Sequence, residues 1–219
     1  AAGAFSLPCS NNVSLNERFD QSEFEAQFQK ACARHGAHNV GVLLPTKGGG
    51  SAIAYRGVAG FNLGLQSLMN KDGVPVPGTG LRVGDRIIVR ANLRSEVTTP
   101  GGGSGMASVA NGDRGVIVSA SSSRSVLLRL DAAPHQLCSM PLAIARKHLQ
   151  LGYASTIHLA QGSEYSCVFL VLQDHASDFI NRSVLLTGLS RAREELAIYG
   201  ERRQLQRIAS RQAPPRRTA

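Results

Sequence analysis

The sequence predicts an α/β protein in which a mostly parallel sheet is interrupted by a second, strand-rich segment. Two runs, 39–44 (NVGVLL) and 168–172 (VFLVL), are almost wholly apolar, as expected for parallel strands that are covered on both faces. A helical pattern precedes the first run, and a helix followed by a buried strand is the repeating unit of such sheets. Short strands separated by glycine turns lie between the two runs and predict the second segment.

The first predicted helix runs from Ser22 to about His35. Phe24 and Phe28 begin a series of apolar residues at helical spacing, which gives the helix one buried face. Ser22 followed by Glu25 has the pattern of a capping box. A second helical stripe follows farther along the chain, and we interpret it as core. Its members are Phe61, Leu65, Leu68 and Met69.

The middle of the chain is typical of short strands joined by turns. Residues 81–90 (LRVGDRIIVR) alternate between polar and apolar, and residues 125–130 (SVLLRL) predict another strand. Between them, 111–118 (NGDRGVIV) indicates a turn that enters a strand. Residues 98–108 (TTPGGGSGMAS) are low in complexity and predict a mobile segment.

The C-terminal part predicts a strand that enters a polar turn, an apolar strand at 168–172, a helix that carries Arg191 and Arg193, and a last strand at 196–199. In open α/β sheets, ligands bind at the carboxyl ends of strands, so the polar residues of the turn are candidate contacts. They are Thr156, His158, Gln161, Gly162 and Glu164. Taken singly, such an arginine is more often a solvated surface charge, and such a histidine a loop residue with ordinary hydrogen bonds.

The chain is strongly basic, with 24 Lys plus Arg against 15 Asp plus Glu and a net charge of +9. Such an excess suits a polyanionic partner such as nucleic acid. The competing explanation is that part of the excess belongs to a basic tail, 204–219, that serves only solubility. Only four of the cations are lysines, and arginine is the better residue for forked contacts with phosphate.

Composition also excludes some classes of protein. No run of about 18 apolar residues is present, so no membrane span is predicted. The first residues lack the features of a secretion signal, and we expect a cytoplasmic protein. The four cysteines have neither a C-x-x-C pair nor a histidine at ligand spacing, which predicts free thiols and no metal site. They are Cys9, Cys32, Cys138 and Cys167.

A loop that could cradle phosphates is missing from the sequence. That loop needs G-x-x-x-x-G-K-[ST], in which Lys reaches the phosphates and the hydroxyl holds magnesium. None of the four lysines is followed by Ser or Thr. No apolar strand ends in the paired carboxylates of the companion magnesium motif. The isolated chain is therefore expected to be inactive as an ATP hydrolase.

Two motifs carry a resemblance to a known family. TIHLAQGSEY (156–165) and LLTGLSRAREEL (185–196) resemble motifs V and VI of superfamily 1 helicases, closest to the RecD-like branch, and they stand in the family's order. LLPTKGGG (43–50) is similar to motif IV, and VGDRI (83–87) resembles the family's G-D-[KR]-V step. The chain departs from the motif V pattern where relatives carry Lys and Ser, because it has Leu159 and Ala160 there.

The resemblance implies roles for residues at the matching positions. Arg191 matches the arginine finger, the catalytic residue that neutralises charge on the γ-phosphate across a cleft. Gly162 and Glu164 would lie near the sugar and phosphates of the nucleotide. Thr156 and His158 would meet the nucleic-acid backbone.

The resemblance also implies a RecA-like parallel sheet flanked by helices, with an inserted small β-barrel of the Src-homology-3-like kind. In motif IV, Lys47 is the nearest match to a cation that touches the γ-phosphate and Arg56 is the second. An incidental surface lysine is an equal alternative. On the barrel, four arginines could line a nucleic-acid path, although alternating arginines are also typical of any half-exposed sheet. They are Arg86, Arg90, Arg94 and Arg114.

The predicted organisation is a first part of the lobe at 1–85, the barrel at 86–149, a second part of the lobe at 150–203 and the basic tail. The leading hypothesis is the C-terminal half of an ATP-dependent DNA helicase. Its cofactors would be ATP and Mg²⁺, held mainly by the N-terminal ATPase lobe of the same or another chain, and its other partner single-stranded DNA. The alternatives are a non-catalytic nucleic-acid-binding module and a subunit that donates Arg191 in trans to a separate ATPase.

Overall fold

The structure, a computed structural model, describes residues 12–48, 54–99, 101–121, 124–172 and 180–211. The chain divides into two compact units. Unit 1 combines the residues up to Gly60 with those from Ala154 onward, and unit 2 is Phe61–Tyr153. Parts of the predicted glycine loop at 48–50 and of the basic tail, together with Cys9, lie outside the described residues.

Unit 1 is built on a five-stranded sheet. Its strands are β1 (Val13–Asn16), β2 (Val40–Leu44), β10 (Ala154–Thr156), β11 (Tyr165–Val171) and β12 (Ala192–Tyr199), numbered in chain order over both units. The order across the sheet is β1-β12-β11-β2-β10, and every neighbouring pair is parallel. The predicted α/β class with a parallel sheet is therefore confirmed.

Helices cover both faces of this sheet. They are α1 (Gln21–His35), α4 (Arg182–Leu189) and α5 (Arg202–Ser210). Successive residues of β11 face opposite sides, because side chains alternate along a strand. Phe169 packs against Phe24 and Phe28 of α1, whereas Val168 and Leu170 belong to a cluster that includes residues of α4 and α5. Burial on both faces explains why the strand is apolar throughout.

The first helix begins one residue before its predicted start. Asp20 is its N-cap, and the carboxylate oxygen Oδ1 of Asp20 accepts a hydrogen bond from the backbone N–H of Glu23 at 2.8 Å. The predicted capping box at Ser22 is therefore wrong, since Ser22 already lies in the first helical turn. A carboxylate at the N-terminus also suits the positive end of the helix dipole.

Unit 2 contains a seven-stranded antiparallel sheet. Its strands are β3 (Arg86–Val89), β4 (Leu93–Thr98), β5 (Ser104–Val109), β6 (Arg114–Ala120), β7 (Ser125–Leu130), β8 (Leu137–Pro141) and β9 (Leu149–Leu151), in the order β5-β4-β8-β7-β6-β3-β9. Helix α3 (Leu142–His148) precedes β9, and helix α2 (Gly57–Met69) begins in unit 1 and continues in unit 2. Residues such as Ile87, Ile117 and Leu128 form one buried cluster. The closure of this sheet into a Src-homology-3-like barrel stays a prediction.

Two local expectations in unit 2 are corrected. The strand predicted at 81–90 is shorter, because Asp85 accepts the backbone N–H of Arg82 and closes a turn before β3. The low-complexity stretch 98–108 contains most of β5, which pairs with β4 from Leu93↔Val109 to Thr98↔Ser104. Unit 2 itself spans Phe61–Tyr153, and the barrel boundaries at 86–149 stay a prediction.

Among the described residues, no helix combines the length and apolar character needed to cross a membrane.

Candidate functional site

Arg191 lies between a helix and a strand, and not on the predicted helix. Helix α4 ends at Leu189, and β12 already begins at Ala192. The prediction of a helix through Arg193 is therefore wrong. Its residues A-R-E-E are good helix formers, but β12 pairs with β11 from Ala192 onward and buries Leu196 in the sheet. Tertiary packing outweighs local propensity here.

The guanidinium of Arg191 joins the end of α4 to the loop that precedes β11. Its Nε donates to the carbonyl oxygen of Thr187 at 3.1 Å, and Nη1 donates to that of Ser163 at 3.1 Å. A third bond runs from Nη2 to the Ser190 hydroxyl at 3.1 Å. The carbonyls at a helix C-terminus attract a cation. These bonds use three of the five N–H donors, and the side chain is only half-buried.

Residues 157–164 form a compact loop that follows Thr156, the last residue of β10. The Thr156 hydroxyl oxygen accepts the backbone N–H of Leu159 at 3.3 Å, and the N–H of Ala160 donates to the Thr156 carbonyl at 3.1 Å. Gly162 has φ of 83°, a conformation that other residues rarely adopt. A Cβ at Gly162 would meet nothing within 4 Å, so backbone conformation alone explains this glycine.

The departures from the motif V pattern have unequal consequences. Ala160 is completely buried and packs in the same cluster as Ile157. A hydroxyl at position 160 would face the core, so its absence removes no surface contact. Leu159 is partly exposed, and the missing cation at that position does reduce the positive charge of the loop.

His158 is exposed beside the start of α4. Together with Gln161 it lines one side of a small cavity of about 60 Å³, and Ser183 and Thr187 of α4 line the other. The histidine, an amide and two hydroxyls therefore face one small recess. These are neutral or titratable hydrogen-bonding groups of the kind that contact a phosphate backbone.

The predicted site residues are divided between two sides of the parallel sheet. We call the side where the strands end the carboxyl edge and the side where they begin the amino edge. Thr156 pairs with Leu44 at the carboxyl ends of their strands. Arg191 lies at the opposite edge, since its carbonyl accepts the backbone N–H of Tyr165 at 2.9 Å. Leu44 is level with Val171, six residues beyond Tyr165, which corresponds to about 20 Å at about 3.3 Å per residue. The expectation that the whole polar turn lies at the carboxyl edge is wrong.

Parallel topology is the physical reason for this division. The chain leaves β10 at the carboxyl edge and must enter β11 at the amino edge, so the loop crosses a face of the sheet. Lys47 comes three residues after Leu44, the last residue of β2, and it is exposed at the carboxyl edge with Thr156. Arg56, the second motif IV candidate, is also exposed. The structure therefore does not bring Lys47 and Arg191 to the same edge.

Glu164 forms an ion pair with Arg193 at the amino edge. The Arg193 Nε donates to Glu164 Oε2 at 2.7 Å, and both side chains are about half exposed or more, at 67% for Arg193 and 49% for Glu164. The sequence motifs did not single out Arg193 as a partner of Glu164. Its position one residue into β12, opposite the start of β11, is visible only once the strand register is known.

Two of the four predicted arginines of unit 2 are engaged within the protein. Arg86 forms a forked ion pair with Asp131, with Nη1 donating to Oδ1 at 2.8 Å. Arg114 donates to the carbonyl oxygen of Gly152 at 3.2 Å. Arg90 is half-buried, and its Nη1 has no hydrogen-bond partner among the residues that the structure describes. Arg94 is the exposed member of the set.

Two of the described cysteine thiols, Cys138 and Cys167, are buried and form no disulfide among the described residues. Burial raises the pKa of Cys138. Burial and then the nearby charge of Glu195 raise the pKa of Cys167 to about 12, which keeps this thiol protonated at neutral pH. Within the described ranges, no three His, Cys, Asp or Glu residues are grouped in a way that could hold a metal ion.

Comparison with known proteins gives consistent sequence matches. Residues 151–199 match the UvrD-like helicase C-terminal domain family. The chain is 29% identical over 194 residues to the ATP-dependent RecD2 DNA helicase of Deinococcus radiodurans, covering 84% of this chain and 25% of that protein. It is 32% identical over 65 residues to the RecBCD enzyme subunit RecD of Buchnera aphidicola, covering 30% of this chain and 11% of that protein. The chain thus spans about a quarter or less of the length of these relatives.

Solved structures with a similar arrangement include two Pif1 helicases. The Candida albicans protein has a TM-score of 0.40 with 13% identity, over 96% of this chain and 49% of that chain. The Bacteroides protein, in complex with ADP-AlF3 and single-stranded DNA, has a TM-score of 0.36 with 19% identity, over 55% of this chain and 29% of that chain. Both scores are below 0.5, so the predicted resemblance is confirmed by the sequence matches alone.

Proposed function

We propose that the chain is the C-terminal part of an ATP-dependent DNA helicase. The proposal starts from residues 151–199, which match a helicase C-terminal domain of superfamily 1. Unit 1 would be a RecA-like lobe, and unit 2 would include its inserted Src-homology-3-like barrel. Single-stranded DNA would be contacted at the carboxyl edge of the parallel sheet and the nucleotide at the amino edge. The barrel boundaries at 86–149 are part of this proposal.

The observation that carries the proposal is the single loop that joins the two edges. The loop 157–164 follows Thr156 and contains His158, the two proposed DNA contacts, and near its other end the Ser163 carbonyl accepts a hydrogen bond from the Arg191 guanidinium. Ile157 and Ala160 pack in the core of unit 1, so the loop is a fixed covalent link between the two proposed contacts. Such a connection suits a protein that couples DNA binding to nucleotide hydrolysis.

Arg191 has the properties that an arginine finger needs. Bonds to two carbonyl oxygens fix the plane of its guanidinium, and no carboxylate of the described residues forms an ion pair with it. Two N–H donors remain beyond the three bonds described above, and a forked pair of donors matches two phosphate oxygens. Glu164 and Arg193 lie at the same edge, where the carboxylate would accept hydrogen bonds from a sugar hydroxyl after exchanging partners.

ATP and Mg²⁺ fit this chain only in part. The chain offers cations at the amino edge, but no cluster of metal ligands among its described residues and no phosphate-cradling loop in its sequence. The cofactor, when bound mainly by the N-terminal lobe, supplies the γ-phosphoryl group and the charge that develops on it. Arg191 would supply compensating positive charge, and Ser163 and Thr187 would hold its orientation.

Arg191→Ala tests the catalytic role in a helicase polypeptide that contains this chain and a phosphate-cradling lobe. We expect kcat for ATP hydrolysis to fall by about 10³-fold or more, with KM for ATP little changed, because the finger acts on the transition state. Arg193→Ala at the same edge is the matched control and should lower kcat far less. A kcat for Arg191→Ala that stays near the unmodified value would overturn the assignment. The isolated chain should show no magnesium-dependent hydrolysis.

The second candidate is a non-catalytic nucleic-acid-binding module. Leu159 favours it, since a cation is missing beside His158. The engagement of Glu164 by Arg193 also favours it, because the carboxylate is already paired. This candidate would be favoured if the chain binds DNA normally and if Arg191→Ala leaves the kcat of ATP hydrolysis unchanged in the helicase polypeptide.

A further inference from the structure

The last helix, α5, exposes an arginine face that the proposed site does not use. Arg203 and Arg207 are one helical turn apart and both exposed, and they line one shallow groove together with Glu201, Gln206 and Ser210. Neither arginine forms an ion pair within the described part of the chain. Glu201 is the one carboxylate in this groove lining, so its positive charges outnumber its negative charges.

This face is unfavourable for the helix alone. Cations at positions i and i+4 repel each other, and such pairs destabilise helices. Arg202 and Arg203 also stand in the first turn of α5, where the helix dipole disfavours positive charge and where the only acidic neighbour in this helix is the N-cap residue, Glu201. Arg202 is neutralised by Glu17, at 3.3 Å, but Arg203 and Arg207 are not. A polyanion bound to this face would relieve both unfavourable effects.

Arg182 connects the end of α5 with the recess at His158. The backbone N–H of Arg182 donates to the carbonyl oxygen of Arg211 at 3.1 Å, which joins the start of α4 to the end of α5. Ser183, next to Arg182, lines the same cavity as His158. Exposed Arg182 is therefore adjacent to a residue that lines that cavity and to the end of α5, one turn beyond Arg207. All of these residues belong to unit 1.

We propose that the face formed by Arg182, Arg203 and Arg207 binds the phosphate backbone of single-stranded nucleic acid, extending the contact that begins at His158. The proposal rests on the proposed function for the identity of the polyanion. Arginine suits phosphate because its planar fork donates two parallel hydrogen bonds. No aromatic side chain lines the groove, so bases would not stack there, and recognition would be independent of sequence and strongly dependent on salt.

A membrane surface fits this helix less well. Helices that bind membranes insert an apolar face into the lipid, but the apolar face of α5 is already packed in the core. Ile208 is 3% exposed, and Leu205 and Ala209 pack against the same cluster. An acidic protein segment remains the other class of partner, and the experiment distinguishes it from nucleic acid.

The test compares the double variant Arg203→Gln/Arg207→Gln with the unmodified chain. Binding of a fluorescent oligothymidylate of about 20 nucleotides is followed by anisotropy between about 50 and 200 mM salt. We expect binding to weaken about tenfold at the lower salt, and the slope of log K against log salt to become shallower by about 1.4, or about 0.7 for each lost phosphate contact. Arg124→Gln/Arg129→Gln removes the same charge from exposed positions of unit 2 and is the matched control.

The outcomes separate this proposal from the proposed function. If His158→Ala weakens binding and the α5 double variant equals the unmodified chain, the α5 face is overturned and the DNA contact of the lobe stands. If only the α5 variant weakens binding, the α5 face stands and the motif V contact fails. Equal weakening by the Arg124/Arg129 control would show a general charge effect and overturn the proposal. Stronger competition by polyglutamate than by the oligonucleotide would overturn it in favour of an acidic protein partner.

Discussion

Asp85 in unit 2 and Arg191 in unit 1 are both charged residues of sequence motifs, but their surroundings differ. Asp85 is fully buried and accepts four hydrogen bonds. The donors are Gln66 Nε2 at 2.5 Å, Asn70 Nδ2 at 2.7 Å, the backbone N–H of Arg82 at 2.7 Å and the Tyr153 hydroxyl at 3.1 Å. Arg191 is half-buried and is held by two carbonyl oxygens and a hydroxyl. We call the arrangement at Asp85 closed, because groups of unit 2 fill its acceptor positions. We call the arrangement at Arg191 open, because two of its N–H donors remain beyond its three hydrogen bonds.

The difference teaches which motif residues maintain the fold and which are available to a ligand. The oxygens of Asp85 accept hydrogen bonds from Gln66 of α2, from Asn70 just after it, from the backbone of Arg82 and from Tyr153. This carboxylate therefore connects parts of unit 2 that are distant in sequence. Burial raises the pKa of Tyr153 and the charge of Asp85 raises it further, which keeps the phenol a donor at neutral pH. The guanidinium of Arg191 is oriented but not saturated, as a residue that meets a ligand should be.

The largest expected effect is on the closed arrangement. Asp85→Ala should lower the free energy of unfolding by about 3–5 kcal/mol, because it leaves several buried donors without an acceptor. Urea unfolding of the purified chain measures this. Asp72→Ala, at an exposed position of the same unit, should change stability by no more than about 0.5 kcal/mol. A loss below about 1 kcal/mol for Asp85→Ala would show that the network is not structural.

An intermediate effect is expected for Arg86. Its side chain is 11% exposed and that of Asp131 is 32% exposed, so the pair is partly screened by solvent. Arg86→Met should cost about 1–2 kcal/mol in urea unfolding, between the values for surface and buried pairs. It should leave oligonucleotide binding nearly unchanged, because the guanidinium is already committed to Asp131. A large loss of DNA affinity without loss of stability would restore the nucleic-acid role predicted for Arg86.

The sequence predicted the parallel sheet well, but it did not predict at which ends of the strands the candidate residues lie. Apolar runs such as 168–172 report burial on both faces, which is a local property that needs no knowledge of partners. The division of the polar turn between two edges depends on which strands β10 and β11 join, and hydrophobic pattern does not contain that information. The two ordered motifs nevertheless placed Arg191 and the loop 157–164 among the same candidates, and the Arg191 guanidinium does bond to that loop at the Ser163 carbonyl.

The missed helix end at Arg191 has a similar cause. Residues 190–195 have good helix propensity, and the sequence alone offered no competing local signal. The competing free energy comes from β11, which is far away in sequence and pairs with β12 from Ala192 to Tyr199. The ion pair of Arg193 with Glu164 follows from that register and was unpredictable for the same reason.

A smaller effect is expected for the open arrangement. Arg191→Ala should lower the free energy of unfolding by about 1 kcal/mol or less, because the carbonyls of Ser163 and Thr187 can be solvated when the half-exposed guanidinium is removed. The same urea experiment measures it beside Asp85→Ala. The contrast between the two residues would disappear if both substitutions destabilised the chain equally, and Arg191 would then have to be regarded as structural.

The smallest effect should come from Glu164, and it sharpens the distinction between orientation and stability. Glu164→Gln breaks an ion pair in which both partners are largely solvated, so stability should change by no more than about 0.5 kcal/mol, and salt should reduce the difference further. Arg193 is then released at the amino edge. In a helicase polypeptide that contains the chain, KM for ATP should change while stability does not. A variant that loses stability without any change in KM would place Glu164 among the structural residues, as Asp85 is.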